Sequence, residues 1–477
     1  MMSELQKMVD LIEGKKDKWI DVSNQIWGFA ETRFEEVNSA ELLCQTLESE
    51  GFVVEKGLAD MPTAFVGSFG SGSPVVAILG EYDALSGLSQ KSGVPTEEPI
   101  VAGGNGHGCG HNLLGTGSLA AAVALKDMME QEGLQGTVRY YGCPAEEGGS
   151  GKTYMARAGI FDDVDFSLCW HPWTTNEIFT GNSLANYQIY YKFKGKSSHA
   201  AASPHLGRSA LDAVELMNVG VNYLREHVIQ EARMHYAITN SGGYSPNVVQ
   251  AEAEVLYLIR APKTPQVQEI YERVCNIARG AALMTGTEVE IVFDKACSNL
   301  IPNSTLETTM YEVLNKIGLP GYDEDELQFA EQLQATLSAA DKANEIDKMP
   351  RELANQLRDK AMSDVIHPYS PDGSKAIFGS TDVGDVSWLT PTAQFFGACW
   401  VLGTPAHTWQ VVAIGETSIA HKGMLLAGKV LAGTAFEVMK NPELLEKSKQ
   451  ELQERLGDNV YTSPIPAEVM PASNEKK

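Results

Sequence analysis

Apolar residues recur at helical spacing through the first fifty positions. Ile20, Ile26 and Trp27 mark one amphipathic helix, and Leu42, Leu43 and Leu47 a second, closed by Gly51. Beyond Gly51 the period shortens to that of strands: Phe52-Val53-Val54, 63–66 and 75–79 are short runs separated by glycine. The run 75–79 has no polar position and leads into Gly80-Glu81-Tyr82-Asp83-Ala84-Leu85. The stretch 113–132 predicts a long helix whose small face, Ala120, Ala121, Ala122 and Ala124, suits close packing. Strands return at 137–142 and 164–170, and this alternation predicts an α/β domain with a central sheet flanked by helices.

From Leu184 to Cys297 the pattern changes. Strands at 187–193, 234–239, 248–260 and 288–293 and helices at 209–227 and 265–284 give the order β-α-β-β-α-β, a ferredoxin-like α+β module inserted in the larger domain. The predicted division is a discontinuous catalytic domain (1–184 and 298–477) around an inserted domain (185–297). Residues 322–373, rich in Glu, Asp, Lys, Gln and Ala, predict an acidic helical insertion with no evident chemistry. A closing helix is predicted over 418–439, then a frayed polar tail.

Composition narrows the picture. At 477 residues with 43% hydrophobic and 21% charged positions, the chain predicts a soluble protein of about two domains. A net charge of -25 argues against nucleic acid or an anionic membrane as partner. The N-terminus has no apolar signal core and no apolar run is long enough to span a bilayer, so a cytoplasmic location is expected. Seven scattered cysteines read as reduced thiols.

The chemistry concentrates at predicted strand ends. In Gly106-His107-Gly108-Cys109-Gly110-His111-Asn112, alternate positions of an extended segment share a side, so the Cys109 thiolate and His111 imidazole can converge on a metal. Alone, such a triplet is an ordinary loop; here further ligand types follow the next two strands, as Cys143-Pro144-Ala145-Glu146-Glu147 and His171-Pro172. Adjacent side chains diverge, so one of Glu146 and Glu147 ligates while the other serves as base. Asp83 follows a buried strand, where it suits either a turn cap or support of a ligand. Gly151-Lys152-Thr153 hints at a phosphate loop and hence a nucleotide-binding protein, but Glu146 stands where that motif requires glycine.

HGCGHN, PAEEGGSGKT, W-H-P, KGKSSHAA, SPNVVQAEAEVLYLIR and PAHTW together resemble the dinuclear metallo-amidohydrolases that include aminoacylases, hippurate hydrolases, auxin-conjugate hydrolases and carboxypeptidase G. The resemblance implies two divalent ions per subunit, Mn or Zn with Co also suited. Cys109, His111 and His171 would hold one, and Glu147 and His407 the other, with Cys109 shared. It implies Glu146 as the base that takes a proton from water and passes it to the leaving amine, with Asp83 assisting. His199, by its residues alone an exposed loop histidine, would reach across a dimer interface to the developing oxyanion. Asn247 and Arg260 would hold the substrate carboxylate. The inserted module would be a lid that also dimerises.

The implied reaction is amide hydrolysis of an N-acyl amino acid. An aromatic acyl group on glutamate is the expected substrate, p-aminobenzoyl-glutamate giving p-aminobenzoate and glutamate. Other N-acyl amino acids or dipeptides are the alternative, as is a role as one subunit of a hetero-oligomer. The chain departs from the family at Asn112, where Asp is usual, and at Glu81, where relatives have His or Asp. His107 rivals His111 as ligand and His421 rivals His407. Asp382 and Asp385 suit either lining the site or capping.

Overall fold

The computed structural model describes residues 3–371, 375–376 and 379–473. Its strands are β1 Val53–Lys56, β2 Phe65–Ser71, β3 Val75–Glu81, β4 Gly136–Cys143, β5 Phe166–Trp173, β6 Glu177–Ile178, β7 Gly181–Asn182, β8 Ala185–Lys194, β9 Arg233–Asn240, β10 Glu252–Ala261, β11 Glu288–Cys297, β12 Lys375–Ala376 and β13 Thr392–Ala398. The larger sheet has the order β1-β2-β4-β3-β5-β13-β6. Its four central strands, β4, β3, β5 and β13, run parallel, while β1, β2 and β6 are antiparallel additions. The sheet is therefore mixed and flanked by helices, the expected α/β class.

The parallel centre follows from two crossovers. Helix His111–Glu132 links β3 to β4, and helix Gly151–Arg157 links β4 to β5 on the other side of β3. Strand order thus reverses at β3, which leaves a crevice beyond the carboxyl ends of the strands. β3 is buried at every position because both faces are covered. Val76 and Ile78 pack in one core with helices His111–Glu132 and Ser418–Lys440, and Ala77 and Leu79 in the other. The small face of helix His111–Glu132 lets its neighbours approach: a Cβ on Gly117 would lie 2.9 Å from the Trp170 ring.

β8 to β11 form a second, all-antiparallel sheet in the order β11-β8-β10-β9. Helices Ala210–Leu224 and Thr264–Thr285 cover one face, burying Val214, Met217, Val267 and Val274 against Val255, Tyr257 and Ile259. Residues 241–251 are a loop, so β10 starts later than the apolar pattern predicts.

Two readings are corrected. The N-terminal fifty residues hold three helices, Glu4–Glu13, Lys16–Phe29 and Val37–Ser49, because Gly14 ends the first by donating its N–H to Asp10 O at 2.8 Å. Among the described residues the tail is packed rather than frayed: helix Pro442–Leu456 is capped by Asn441 and buries Leu452 and Leu456. Beyond it Ile465 is buried, and Arg157 donates to the carbonyls of Pro466 and Val469. The acidic segment forms helices Glu324–Ala335, Ala339–Ile346 and Arg351–Leu357; its final predicted positions, 372–373, lie outside the described residues. No helix among the described residues is long and apolar enough to cross a membrane.

Candidate metal centre

The four parallel strands deliver their carboxyl ends to one edge. β3 ends at Glu81 opposite Cys143, the last residue of β4, and β5 carries His171 opposite Phe396 of β13. After β4 the chain turns sharply through Ala145, whose φ of +58° is a left-handed conformation costing on the order of 1–3 kcal/mol in a residue with a Cβ. The buried Glu36 carboxylate holds this turn by accepting the Ala145 N–H at 3.0 Å, and burial pushes that carboxyl up to about 8. His407 is also left-handed, at φ +63°, and its N–H donates to Gly108 O at 2.9 Å, which pins its turn to the glycine loop. The glycine loop runs close against this turn: a Cβ on Gly108 would lie 3.4 Å from His407 Cα and would push the Leu88 side chain aside.

These elements gather the sulfur, nitrogen and oxygen donors into three groups, in each of which the ligand-capable atoms lie within 4.8 Å of one another. They are Cys109, His111 and His171; Cys109, Glu147 and His407; and Glu81, His111 and Glu146. Cys109 is common to the first two. Its Sγ is 3.3 Å from His171 Nε2, and His407 Nε2 is 3.3 Å from Glu147 Oε1.

Hydrogen bonds fix which imidazole nitrogens face inward. Nδ1 of His111 donates to Asp83 Oδ1 at 2.8 Å, and Nδ1 of His171 donates to Pro172 O at 2.7 Å, so both present Nε2 to the centre. The other Asp83 oxygen accepts the Glu147 N–H at 2.9 Å, so one buried carboxylate sets two neighbours of the centre.

The residues fit a metal. His111 Nε2, Glu147 Oε1 and Glu81 Oε2 are buried and only loosely met, His111 Nε2 by Glu81 Oε2 and Glu147 Oε1 by His407 Nε2, each at 3.3 Å, an arrangement that a bound cation would satisfy better. One thiolate, imidazoles and carboxylate suit Zn, Mn or Co better than Ca or Mg.

Electrostatics divide the two glutamates. Burial, then the charges of Glu81, Asp382 and Glu147, push Glu146 well above the ordinary carboxylate range, so without cations beside it this carboxyl keeps its proton. Burial would raise Glu147 too, but the His407 hydrogen bond and the His111 charge bring it down to about 2. Burial and Glu147 push the Cys109 thiol up, yet His171 and His111 outweigh them and hold it at about 6.

The remaining residues sort clearly. His107 is buried, hydrogen-bonds Ile26 O at 3.0 Å and joins none of the groups. His421 bonds Asn24 Oδ1 at 2.8 Å and Asn112 bonds Ser23 and Gly415, all outside the groups. His199 and Asn247 are exposed together on the smaller sheet's rim, where Ala200 N–H donates to Asn247 O at 2.9 Å. No hydrogen bond or ion pair among the described residues joins either to the ligand groups. Arg260 donates to Ser380 Oγ at 3.0 Å and keeps a buried Nε without partner.

Two lysines escaped the sequence reading in the roles they play. Lys152 is buried with Nζ 2.6 Å from Glu81 Oε1 and 2.7 Å from Asp382 Oδ1. A buried lysine paired with two carboxylates is not presented to a phosphate, so Gly151-Lys152-Thr153 does not act here as a phosphate loop's cation. Asp382 is thus part of an ion network and also caps helix Gly151–Arg157, its Oδ2 accepting the Lys152 N–H at 2.8 Å, while Asp385 accepts from Thr153, Ser298 and Tyr461. Lys295, on β11, donates to Glu147 O at 2.9 Å.

The model of peptidase family M20/M25/M40 matches residues 77–411, most of the chain and all the ligand groups. The chain belongs to this family. Family membership places it among the metal-dependent amidohydrolases. This M20-family chain is 52% identical to one of the subunits of the p-aminobenzoyl-glutamate hydrolase of Escherichia coli (strain K12), over 99% of both chains. It is 30% identical to the mouse Xaa-Arg dipeptidase, covering 91% of this chain and 89% of that one. In fold it is similar to a dinuclear metal-binding peptidase of family M20 from Bacillus subtilis (TM-score 0.54, 18% identity, 90% of this chain and 99% of that one).

Proposed function

We propose that the chain hydrolyses the amide bond of p-aminobenzoyl-glutamate, with Cys109, His111 and His171 holding one divalent ion and Cys109, Glu147 and His407 a second. The observation that carries this reading is Cys109 standing in both ligand groups with Glu146 alongside. Bound there, Mn, Zn or Co would supply a Lewis acid for the scissile carbonyl. Glu146 takes a proton from the attacking water and returns it to the departing amine, a role that needs its carboxylate form, which the positive charge of ions held beside it would favour. Asp83 orients His111.

His199 accepts the N–H groups of Ala201 and Ala202 on Nδ1, which leaves Nε2–H as a donor suited to an oxyanion. Arg260 and Asn247 are assigned to the substrate carboxylate. An aromatic acyl group is favoured by Trp173 and Phe396, stacked at 5.5 Å, partly exposed and each 6.1 Å from the His171 ring.

The module 185–297 is read as a lid that pairs two copies. β9 is an edge strand that exposes Tyr236 and Ile238, and helix Ala210–Leu224 exposes Val219 and Tyr223. A hetero-oligomer with a related partner is the second reading, favoured because the 52% identical relative is itself named as part of a multi-subunit hydrolase. Seven unbridged cysteines favour the cytoplasm.

The test is direct. Purified protein supplied with manganese is expected to release p-aminobenzoate from p-aminobenzoyl-glutamate, followed by its absorbance. Cleavage of other N-acyl amino acids or dipeptides instead would overturn the substrate and keep the reaction class.

A further inference from the structure

The acidic insertion carries a side chain that ties two ligand-bearing loops together. Glu345, near the end of helix Ala339–Ile346, is partly buried and uses both carboxylate oxygens. Thr174 Oγ1 donates to Oε1, and the Gly403 N–H donates to Oε2 at 2.7 Å. Thr174 lies three residues beyond His171, and Gly403 four residues before His407. These histidines belong to different ligand groups that meet at Cys109.

The surrounding contacts repeat the theme. Gly403 has φ +86°, and a Cβ on it would lie 2.9 Å from Lys342 Cα, so the loop runs directly against the helix. Leu402 is buried among Ile346, Leu353 and Leu357, and its N–H donates to Ala361 O at 2.8 Å. At the other loop, the His367 N–H donates to Asn176 O at 2.9 Å, and Asn176 Nδ2 to Ser363 O at 3.3 Å. The insertion therefore grips the segment after β5 and the segment after β13.

The grip matters most for His407. His171 sits on a strand and inherits its position from the sheet, whereas His407 occupies a left-handed turn with no strand beneath it. A ligand on such a turn stays in place only if neighbouring contacts hold it.

We propose that Glu345 is a positioning residue that fixes the spacing between His171 and His407, and so lets the centre hold both ions at once. The inference rests on the two-ion reading above. It gives the insertion a role in the site without contact between Glu345 and either ion.

The test compares full-length wild type with Glu345→Ala and Glu345→Gln. Each is equilibrated in zinc buffered at a series of free concentrations, bound zinc is counted by elemental analysis, and thermal unfolding is recorded on the metal-free proteins. Wild type is expected to bind two ions. Both variants are expected to keep one, with affinity for the other weakened roughly 10- to 100-fold, in the range typical of groups that orient ligands. Two ions bound by the variants with wild-type affinity would overturn the proposal, even with a lowered unfolding temperature, because a merely structural role moves stability alone. Should Glu345→Ala not fold, Glu345→Gln keeps the shape and one acceptor and carries the comparison. A wild type that binds no ion would instead overturn the metal reading, and the clamp with it.

Discussion

Glu146 and Glu147 show how two identical neighbours acquire opposite chemistry. Glu147 faces imidazoles and stays charged, while Glu146 faces three other acids and holds a proton tightly. Glu146→Gln is therefore expected to lower turnover by about a hundredfold to ten-thousandfold with bound metal unchanged, measured by kcat and elemental analysis on one preparation. The donor residues were legible because they sit in short motifs at strand ends, and the strand pattern already placed those ends on one edge. Lys152 was not: its partners Glu81 and Asp382 are remote in the chain, and a lysine after glycine in a helix start looks the same whether it meets phosphate or two buried acids. Lys295 was hidden for the same reason, since only folding brings β11 to the Glu147 carbonyl.

Helix Ser304–Ile317 carries a buried acid with a pH consequence of its own. Glu307 accepts hydrogen bonds from the Asn303 N–H and the Tyr369 hydroxyl, each at 3.1 Å, yet burial outweighs them and pushes its carboxyl from 4.5 up to about 7. The folded form thus takes up a proton that the unfolded chain has already released. Its contribution to stability is complete below pH 4.5 and is lost as pH rises through about 7, an effect of order 3 kcal/mol at most. Glu307→Gln is expected to flatten the fall in unfolding temperature across that window; an unchanged slope would assign the dependence elsewhere. Elements with strong periodicity, such as helix His111–Glu132 and β3, were readable from sequence. Helix Pro442–Leu456 was not, because it lies on the surface and most of its residues are polar, with few apolar positions to mark the buried side.

For the molecule as a whole, the smaller sheet has two edge strands, β11 and β9, and β9 exposes Tyr236 and Ile238. Placing a charge there, as in Ile238→Lys, is expected to convert a dimer to monomers in light scattering while leaving bound metal unchanged. A wild type that is already monomeric would remove the pairing through β9. The order of elements in the smaller sheet and the first five strands of the larger one followed from hydrophobic spacing, but β6, the central strand β13 and the seam between the sheets did not. Arg33 pairs with Asp294 of β11 at 3.0 Å, both buried, and its Nε donates to Ala472 O at 3.0 Å.

That last contact ties the carboxyl-terminal segment to both halves of the molecule, with Tyr461 on Asp385 and the Pro466 and Val469 carbonyls on Arg157 as further stitches. Trimming the chain after Gly457, a natural choice for anyone seeking a tidier crystallisation sample, would cut every one of those threads and strip away one of the two partners that pin the buried Arg33 guanidinium.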